Sequence, residues 1–372
     1  MKTRQLLLTA VLCTCLTGRA QETAVPVGLT KVKPFSHLDL SLTTGSTGLG
    51  FDLSMPISNV FSVRAGYATM PHFNHTMHFG VQVGEDPETS QSKFERLSGV
   101  LADFTGNHVD DVVDMIGKPT YWNWKLLIDI KPFRNKHWHL TAGIFAGNRQ
   151  VAEAVNSIED MPSTMAVNIY NNLWRKAVNY EPLIEYGSSS IYEEEIAEKF
   201  RSYGMMSVHL GDYKHDIYYD EDVIAEDDMV LGSEEEGYRF VYQGDILYHG
   251  SAWTDENGVE HGPDIKHHKG DAYRMTPDDK SMLRAWAYAN RLKPYIGFGY
   301  GGRLTKKNPR WEVSFDCGAL FWGGTPQVVT HDGTDLMNDI ENIHGKVGDY
   351  VDIIEKFKIF PVLNLRLTRR IF

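Results

Sequence analysis

Eight segments of this chain alternate apolar and polar side chains with the period of a β-strand, and that pattern constrains the fold more than any other feature. Leu38, Leu40 and Leu42 interleave with Asp39, Ser41 and Thr43; Leu49, Phe51, Leu53 and Met55 with Gly50, Asp52 and Ser54; Phe61, Val63, Ala65 and Tyr67 with Ser62, Arg64 and Gly66. Trp122, Trp124, Leu126, Ile128 and Ile130 then alternate with Asn123, Lys125, Leu127, Asp129 and Lys131, and Trp138, Leu140, Ala142 and Ile144 follow a turn at 132–136. A second hairpin sets Pro294, Ile296, Phe298 and Tyr300 beside Trp311, Val313, Phe315, Cys317, Ala319 and Phe321, and Leu363, Leu365 and Leu367 form the last row. Each segment has the roughly nine to eleven residues that a tilted strand needs to cross a bilayer.

Alternation of this kind also suits a soluble sandwich, whose apolar face packs inward. The loop lengths discriminate. If the first strand starts on the periplasmic side, the connections 56–59, 132–136 and 306–309 fall there and all are short. The long ones, 70–121, 149–291 and 324–358, fall on the other side. A membrane barrel sorts its loops in this way, and a soluble fold has no reason to. Tyr67, Trp122, Trp138, Tyr300, Trp311 and Phe321 stand near strand ends on the apolar rows, where interfacial girdles sit.

The chain ends agree with export. Lys2 and Arg4 precede the apolar run Leu6 to Leu16, and Gly18-Arg19-Ala20 offers a cut before Gln21, so residues 1–20 read as a signal peptide and 21–372 as the mature chain. The run is too short for a membrane-spanning helix, which needs about 20 apolar residues. Cleavage leaves Cys317 as the sole cysteine, so no internal disulfide can form. The net charge of -12 is concentrated in 150–291, which holds 28 acidic and 12 basic residues. This balance excludes nucleic acid as a partner. It marks 150–291 as one large acidic external insertion.

The segments Gly48-Leu49-Gly50-Phe51-Asp52-Leu53, Arg64-Ala65-Gly66-Tyr67, Asp129-Ile130-Lys131-Pro132-Phe133, Pro294 to Gly301, Phe315 to Phe321 and the ending from Phe360 to Phe372 resemble the small outer-membrane β-barrel proteins of Gram-negative bacteria. The similarity is greatest to a set from Bacteroides-type organisms. It covers the barrel strands and not the acidic insertion. The resemblance implies an outer-membrane location, and it makes the terminal Phe372 the signal read by the barrel-insertion machinery. It implies no reaction and no substrate. Arg369 and Arg370 depart from it, standing where such proteins often have an aromatic residue.

Candidate chemistry is sparse. His72, His75 and His78 are spaced either for one face of a helix or for a strand, and His267-His268 beside Lys266 and Lys269 reads as a solvated turn. Glu193-Glu194-Glu195, Glu226-Asp227-Asp228, Glu234-Glu235-Glu236 and His331-Asp332-Gly333-Thr334-Asp335 lack the spacing of a calcium loop. Gly297, Gly299, Gly301 and Gly302 alternate within a strand, without the following helix of a nucleotide loop, and fit room for a bulky neighbour such as Trp322. No metal, cofactor or catalytic residue is assigned.

The expectation is therefore an all-β fold, an antiparallel transmembrane β-barrel of eight strands with long, partly helical external loops. Helices are expected at Met165–Val178, Ile191–Tyr203 and Asp335–Ile354, a strand at 238–242, and a hairpin turn at Asn257-Gly258. The polar rows should place a charge network in the lumen, from Asp39, Asp52, Arg64, Lys125, Asp129, Lys131, Lys293, Arg303, Glu312, Asp316, Arg366 and Arg370. A barrel of eight strands has room for side chains and little else. Function is expected to be structural or surface recognition and not enzymatic. The partners would be outer-membrane lipid, lipopolysaccharide, the insertion machinery and a ligand at the external loops. The alternatives are a channel for small solutes and a surface hydrolase or lipid-modifying enzyme.

Overall fold

A computed structural model describes residues 34–371, apart from 85, 107, 134–136, 187–188, 192, 226–228, 232–239, 243–245, 256, 305–309 and 344–357. The eight alternating segments form β1 (Asp39–Gly45), β2 (Gly48–Pro56), β3 (Phe61–Thr69), β4 (Trp122–Ile130), β5 (Trp138–Gly147), β6 (Leu292–Arg303), β7 (Trp311–Phe321) and β8 (Ile359–Arg370). They pair in sequence order, all antiparallel, and β1 closes on β8 with Asp39 opposite Arg370, so the barrel has no free edge. Closure satisfies the backbone groups of every strand, as lipid requires. Among the described residues the insertion adds no strand to this wall.

The pleat decides which row meets what. Leu42, Leu126 and Ile296 are 61%, 60% and 58% exposed on the outer face, together with Phe51, Trp124, Leu140, Phe298, Phe315 and Leu365. Their alternating neighbours Ser41, Asp52, Arg64, Lys125, Asp129, Asp316 and Arg366 are buried inside. A continuous apolar belt outside and charges enclosed within is the arrangement of a transmembrane barrel and the reverse of a soluble one. At the ends of the belt Tyr67 packs on Trp124 at 5.1 Å, and Trp138 on Tyr300 at 5.0 Å.

Beyond the membrane five barrel strands continue outward. A second sheet of Gln327–Thr330, Arg284–Tyr288, Gln150–Asn156, Val112–Pro119 and His75–Gly80 repeats the order β7, β6, β5, β4, β3 of the wall. Short breaks separate each pair, and hydrogen bonds cross them: the Met70 amide donates to the Tyr121 carbonyl at 2.9 Å and the Ala289 amide to the Arg149 carbonyl at 2.8 Å. Barrel and outer sheet thus form one nearly continuous ribbon.

That sheet is one layer of a folded outer domain. Strand Met206–Tyr213, flanked by Ala272–Met275 and Ile340–Glu341, supplies the other layer. Val113 and Met115 meet Val208, Leu210, Tyr273 and Met275 in the core between them. Helices α1 (Pro87–Thr105) and α2 (Met161–Val178) pack Phe94, Leu97, Leu101, Val167 and Tyr170 around Val83 and Met206, each such burial being worth about 1.5–3 kcal/mol. Helix α3 (Glu194–Tyr203) sits on α2 through Ala197 and Ala177.

Several local expectations need correction. Helix α1 lies in a stretch read only as a long connection, although its signals were present: Asp86 caps the Glu88 amide, Pro87 opens the first turn and Gly106 ends the helix at φ 72°. The helix expected from Asp335 is absent over 335–343, where Asp335 Oδ1 accepts from the Met337 amide in a turn and Ile340–Glu341 then pairs as a strand; residues 344–354 lie outside the described ones. Of the two readings open for the histidine triplet, His75 and His78 take the strand, His75–Gly80. His267 is not in a solvated turn but in a short strand, half-buried and stacked on Tyr213 at 4.6 Å. The Asn257-Gly258 turn joins Trp253–Thr254 to Glu260–His261, and the expected strand around 238–242 is present at Phe240–Tyr242.

Candidate functional site

Alternation brings the polar rows of β2, β3, β4, β5, β7 and β8 to one level of the lumen. Arg64 donates from Nη2 to Asp129 Oδ1 at 2.9 Å and lies 3.9 Å from Asp52. Lys125 Nζ is 2.6 Å from Asp52 Oδ1. Arg366 bridges two carboxylates, 3.2 Å from Asp316 Oδ2 and 3.7 Å from Asp129 Oδ2. Three carboxylates face three basic side chains, which is the condition for keeping charges in so dry a space. Thr141 donates to Asp129 at 2.6 Å, Ser314 accepts from Arg366 Nε at 2.9 Å, and His139 Nε2 donates to Asp316.

The other expected members of the network stand elsewhere. Asp39 and Arg370 pair at 3.5 Å at the end of the short turns, partly exposed. Arg303 and Glu312 face each other across β6 and β7 at the same rim, and Lys131 follows the last residue of β4 there, so none of the three enters the buried cluster. Lys293 is buried but at the opposite end, where Nζ donates to Asn123 Oδ1 at 3.2 Å and the Asn148 carbonyl at 3.4 Å and lies 5.4 Å from the centre of the Tyr121 ring. Phe372 lies outside the described residues.

Toward the outer sheet, around the buried Lys293, the lumen is largely apolar. Phe145, Tyr295, Leu320 and Val362 point inward from the wall, with Leu127 between Lys125 and Asp129 on β4, and meet Tyr121, Val151 and Ala289 from the breaks between barrel and outer sheet. Trp322 stacks on Tyr121 at 6.5 Å, and Phe360 packs tilted against Trp322 at 5.5 Å. Charges below and aromatic rings above fill the bore in two successive layers. The sequence signal for the upper layer was the loss of strict alternation: Leu127 and Leu320 are apolar residues on the polar rows.

The lumen glycines make this packing possible, though their neighbours are Tyr295 and His139 and not Trp322. A Cβ on Gly297 would lie 2.3 Å from the Tyr295 hydroxyl, one on Gly318 2.5 Å from it, and one on Gly299 2.4 Å from the His139 ring. The missing side chains are the space that the large ones occupy.

In the outer domain the Asp332 segment serves its own fold. Its carboxylate accepts from Thr330 Oγ1 at 2.6 Å, the Thr334 amide at 3.0 Å and the buried Tyr273 hydroxyl at 2.8 Å. Burial alone would raise the Asp332 carboxyl, but these donors outweigh it and hold the group below its ordinary 3.8. Burial, with Asp332 nearby, pushes the Tyr273 phenol up, and burial takes Tyr213 to about 12. A carboxylate with a depressed folded pKa contributes stability that is complete above its unfolded value and is lost as pH falls through the folded one. The near-ultraviolet signal of the outer domain is therefore expected to hold from pH 7 down to about 4 and to fall below it, with Asp332→Asn lowering the signal at neutral pH and flattening its acid dependence. An acid midpoint unchanged in that variant would remove Asp332 from the account.

No protein-family model matches the chain, and neither does any curated protein sequence. Among solved structures the chain is similar to CarO2 of Acinetobacter baumannii, at 12% identity and a TM-score of 0.34 over 91% of this chain and 100% of that one. CarO of the same organism gives 12% and 0.33 over 91% and 97%. A major outer membrane protein of Thermus thermophilus gives 10% and 0.25 over 90% and 99%. The transmembrane barrel itself is established by this chain's own closed sheet, outward apolar belt and enclosed charges.

Proposed function

We propose that the chain is a Gram-negative outer-membrane protein, exported by the signal peptide at 1–20, whose sealed barrel anchors an acidic folded domain at the cell surface for a structural or recognition role. The observation that carries this is the double closure of the bore, with balanced ion pairs at mid-depth and the Tyr121, Phe145, Tyr295 and Trp322 layer above. The continuous ribbon adds to it, because an outer domain built on five wall strands holds a fixed pose relative to the membrane. Short turns at the periplasmic rim and long segments at the other give the orientation. The resemblance of the strands to the Bacteroides-type set fits the location.

This is a non-enzymatic reading. Ligand recognition belongs to the outer domain, since long folded loops carried on a rigid scaffold are where binding residues concentrate. Its excess of acidic residues favours contact with lipopolysaccharide phosphates through divalent cations over direct contact with anions. Insertion into the membrane would use Phe372 at the end of β8. In planar bilayers the purified mature protein is expected to give no single-channel steps. Stable ohmic conductance from the intact chain would overturn the sealed-barrel reading and restore the channel.

A further inference from the structure

The lipid-facing row of β8 does not end as the others do. Leu363, Leu365 and Leu367 run down the outer face, and the next position on that face is Arg369, which is exposed. Arg369 is in register with Trp311 of β7 and Leu40 of β1, and its guanidinium carbon lies 5.3 Å from the centre of the Trp311 ring. Arg310 precedes Trp311, and its carbonyl accepts from the Arg370 amide at 2.9 Å. Among the described residues no carboxylate pairs with Arg369, the nearby Asp39 being taken by Arg370. Among the described residues of this rim the cations Lys131, Arg303, Arg369 and Arg370 outnumber the carboxylates Asp39 and Glu312, whereas the segment 150–291 at the other end is strongly acidic.

We propose that Arg369, laid on Trp311 and flanked by Arg310, is a binding site for the phosphate of an anionic glycerophospholipid in the leaflet at the periplasmic end of the barrel. Hydrocarbon covers Leu367 and Leu40, so the first polar group an outward guanidinium meets past them is a lipid headgroup. The long stem lets the charge reach that level while its carbons stay against apolar surface. The indole face attracts the guanidinium and holds it beside Trp311, and a guanidinium offers the fork of N–H donors that matches two phosphate oxygens. Continuity with the apolar belt selects lipid over a soluble phosphate ligand. The assignment to the periplasmic leaflet rests on the orientation given under Proposed function; the lipid contact does not.

The test uses the folded mature protein in nanodiscs of equal phosphatidylglycerol and phosphatidylcholine, with the retained lipids counted by native mass spectrometry and folding checked by heat-modifiable gel migration. The wild type is expected to retain phosphatidylglycerol in preference. Arg369→Gln should lower that preference about fivefold, the equivalent of one basic residue at a membrane surface. Arg369→Lys should lower it less, keeping the charge without the planar fork, and provides the comparison if the glutamine variant does not fold. Arg149→Gln, an exposed arginine at the opposite rim, should leave it unchanged. Equal preference in wild type and Arg369→Gln, or an equal loss in Arg149→Gln, would overturn the site. Because conductance is not measured here, failure of this site leaves the sealed-barrel reading standing, and the converse holds.

Discussion

Replacing Arg366 by leucine is expected to destabilise the folded barrel by about 3–5 kcal/mol, the cost of leaving buried charge without its partner. Arg366 is the cation shared by Asp129 and Asp316, so its loss turns a balanced lumen into one with an uncompensated negative charge. Arg64 serves Asp129 and Asp52 and cannot move to Asp316 without abandoning them. Urea unfolding from lipid vesicles, followed by tryptophan fluorescence, measures the change. A loss under about 1 kcal/mol would mean that water reaches the cluster, since exposed ion pairs are worth no more. The double variant Asp52→Leu with Lys125→Met supplies the contrast: removing both members of a pair at 2.6 Å should cost less than Lys125→Met alone.

Gly299→Val should be nearly as damaging, by about 1–3 kcal/mol for overpacking a filled interior. Its Cβ would stand 2.4 Å from the His139 ring and 2.5 Å from Asp316 Oδ1, so it must break the hydrogen bond between them or push the β6 backbone outward. Either result loosens the cluster that Arg366 holds. The same refolding assay tests it. A Gly299→Val barrel as stable as the wild type would show that the lumen has spare volume at this level, contrary to the sealed bore.

Most of the barrel was legible from residues 38 to 368 because a strand's side-chain period of two forces each residue to one face or the other. With lipid outside, the leucine and aromatic rows can go only outward and the charged rows only inward. Hence Asp52, Arg64, Lys125, Asp129, Asp316 and Arg366 were all identifiable as enclosed charges before any contact was known. The depth of each charge was not identifiable. Lys293 and Arg303 stand at opposite ends of one row of β6 because ten residues of strand separate them, but which charges of different strands come level, such as Asp129 of β4 and Arg366 of β8, is set by the tilt and stagger of the closed sheet. His139 has no signature in the sequence, because a lone histidine on a strand carries no signal until Asp316, far along the chain, is brought beside it.

The sequence by itself determined the eight membrane strands, their lipid and lumen faces, the side of the short turns and the acidic character of the insertion, all of which follow from local alternation, length and composition. Tertiary structure alone decided that the wall continues outward as a second sheet, that α1 and α2 close over Val83 and Met206, and that Tyr121, Tyr295 and Trp322 converge over the lumen. Those outcomes depend on contacts between residues distant in the chain. A side-chain period fixes the direction in which a residue points, and only closure of the sheet fixes what it meets there.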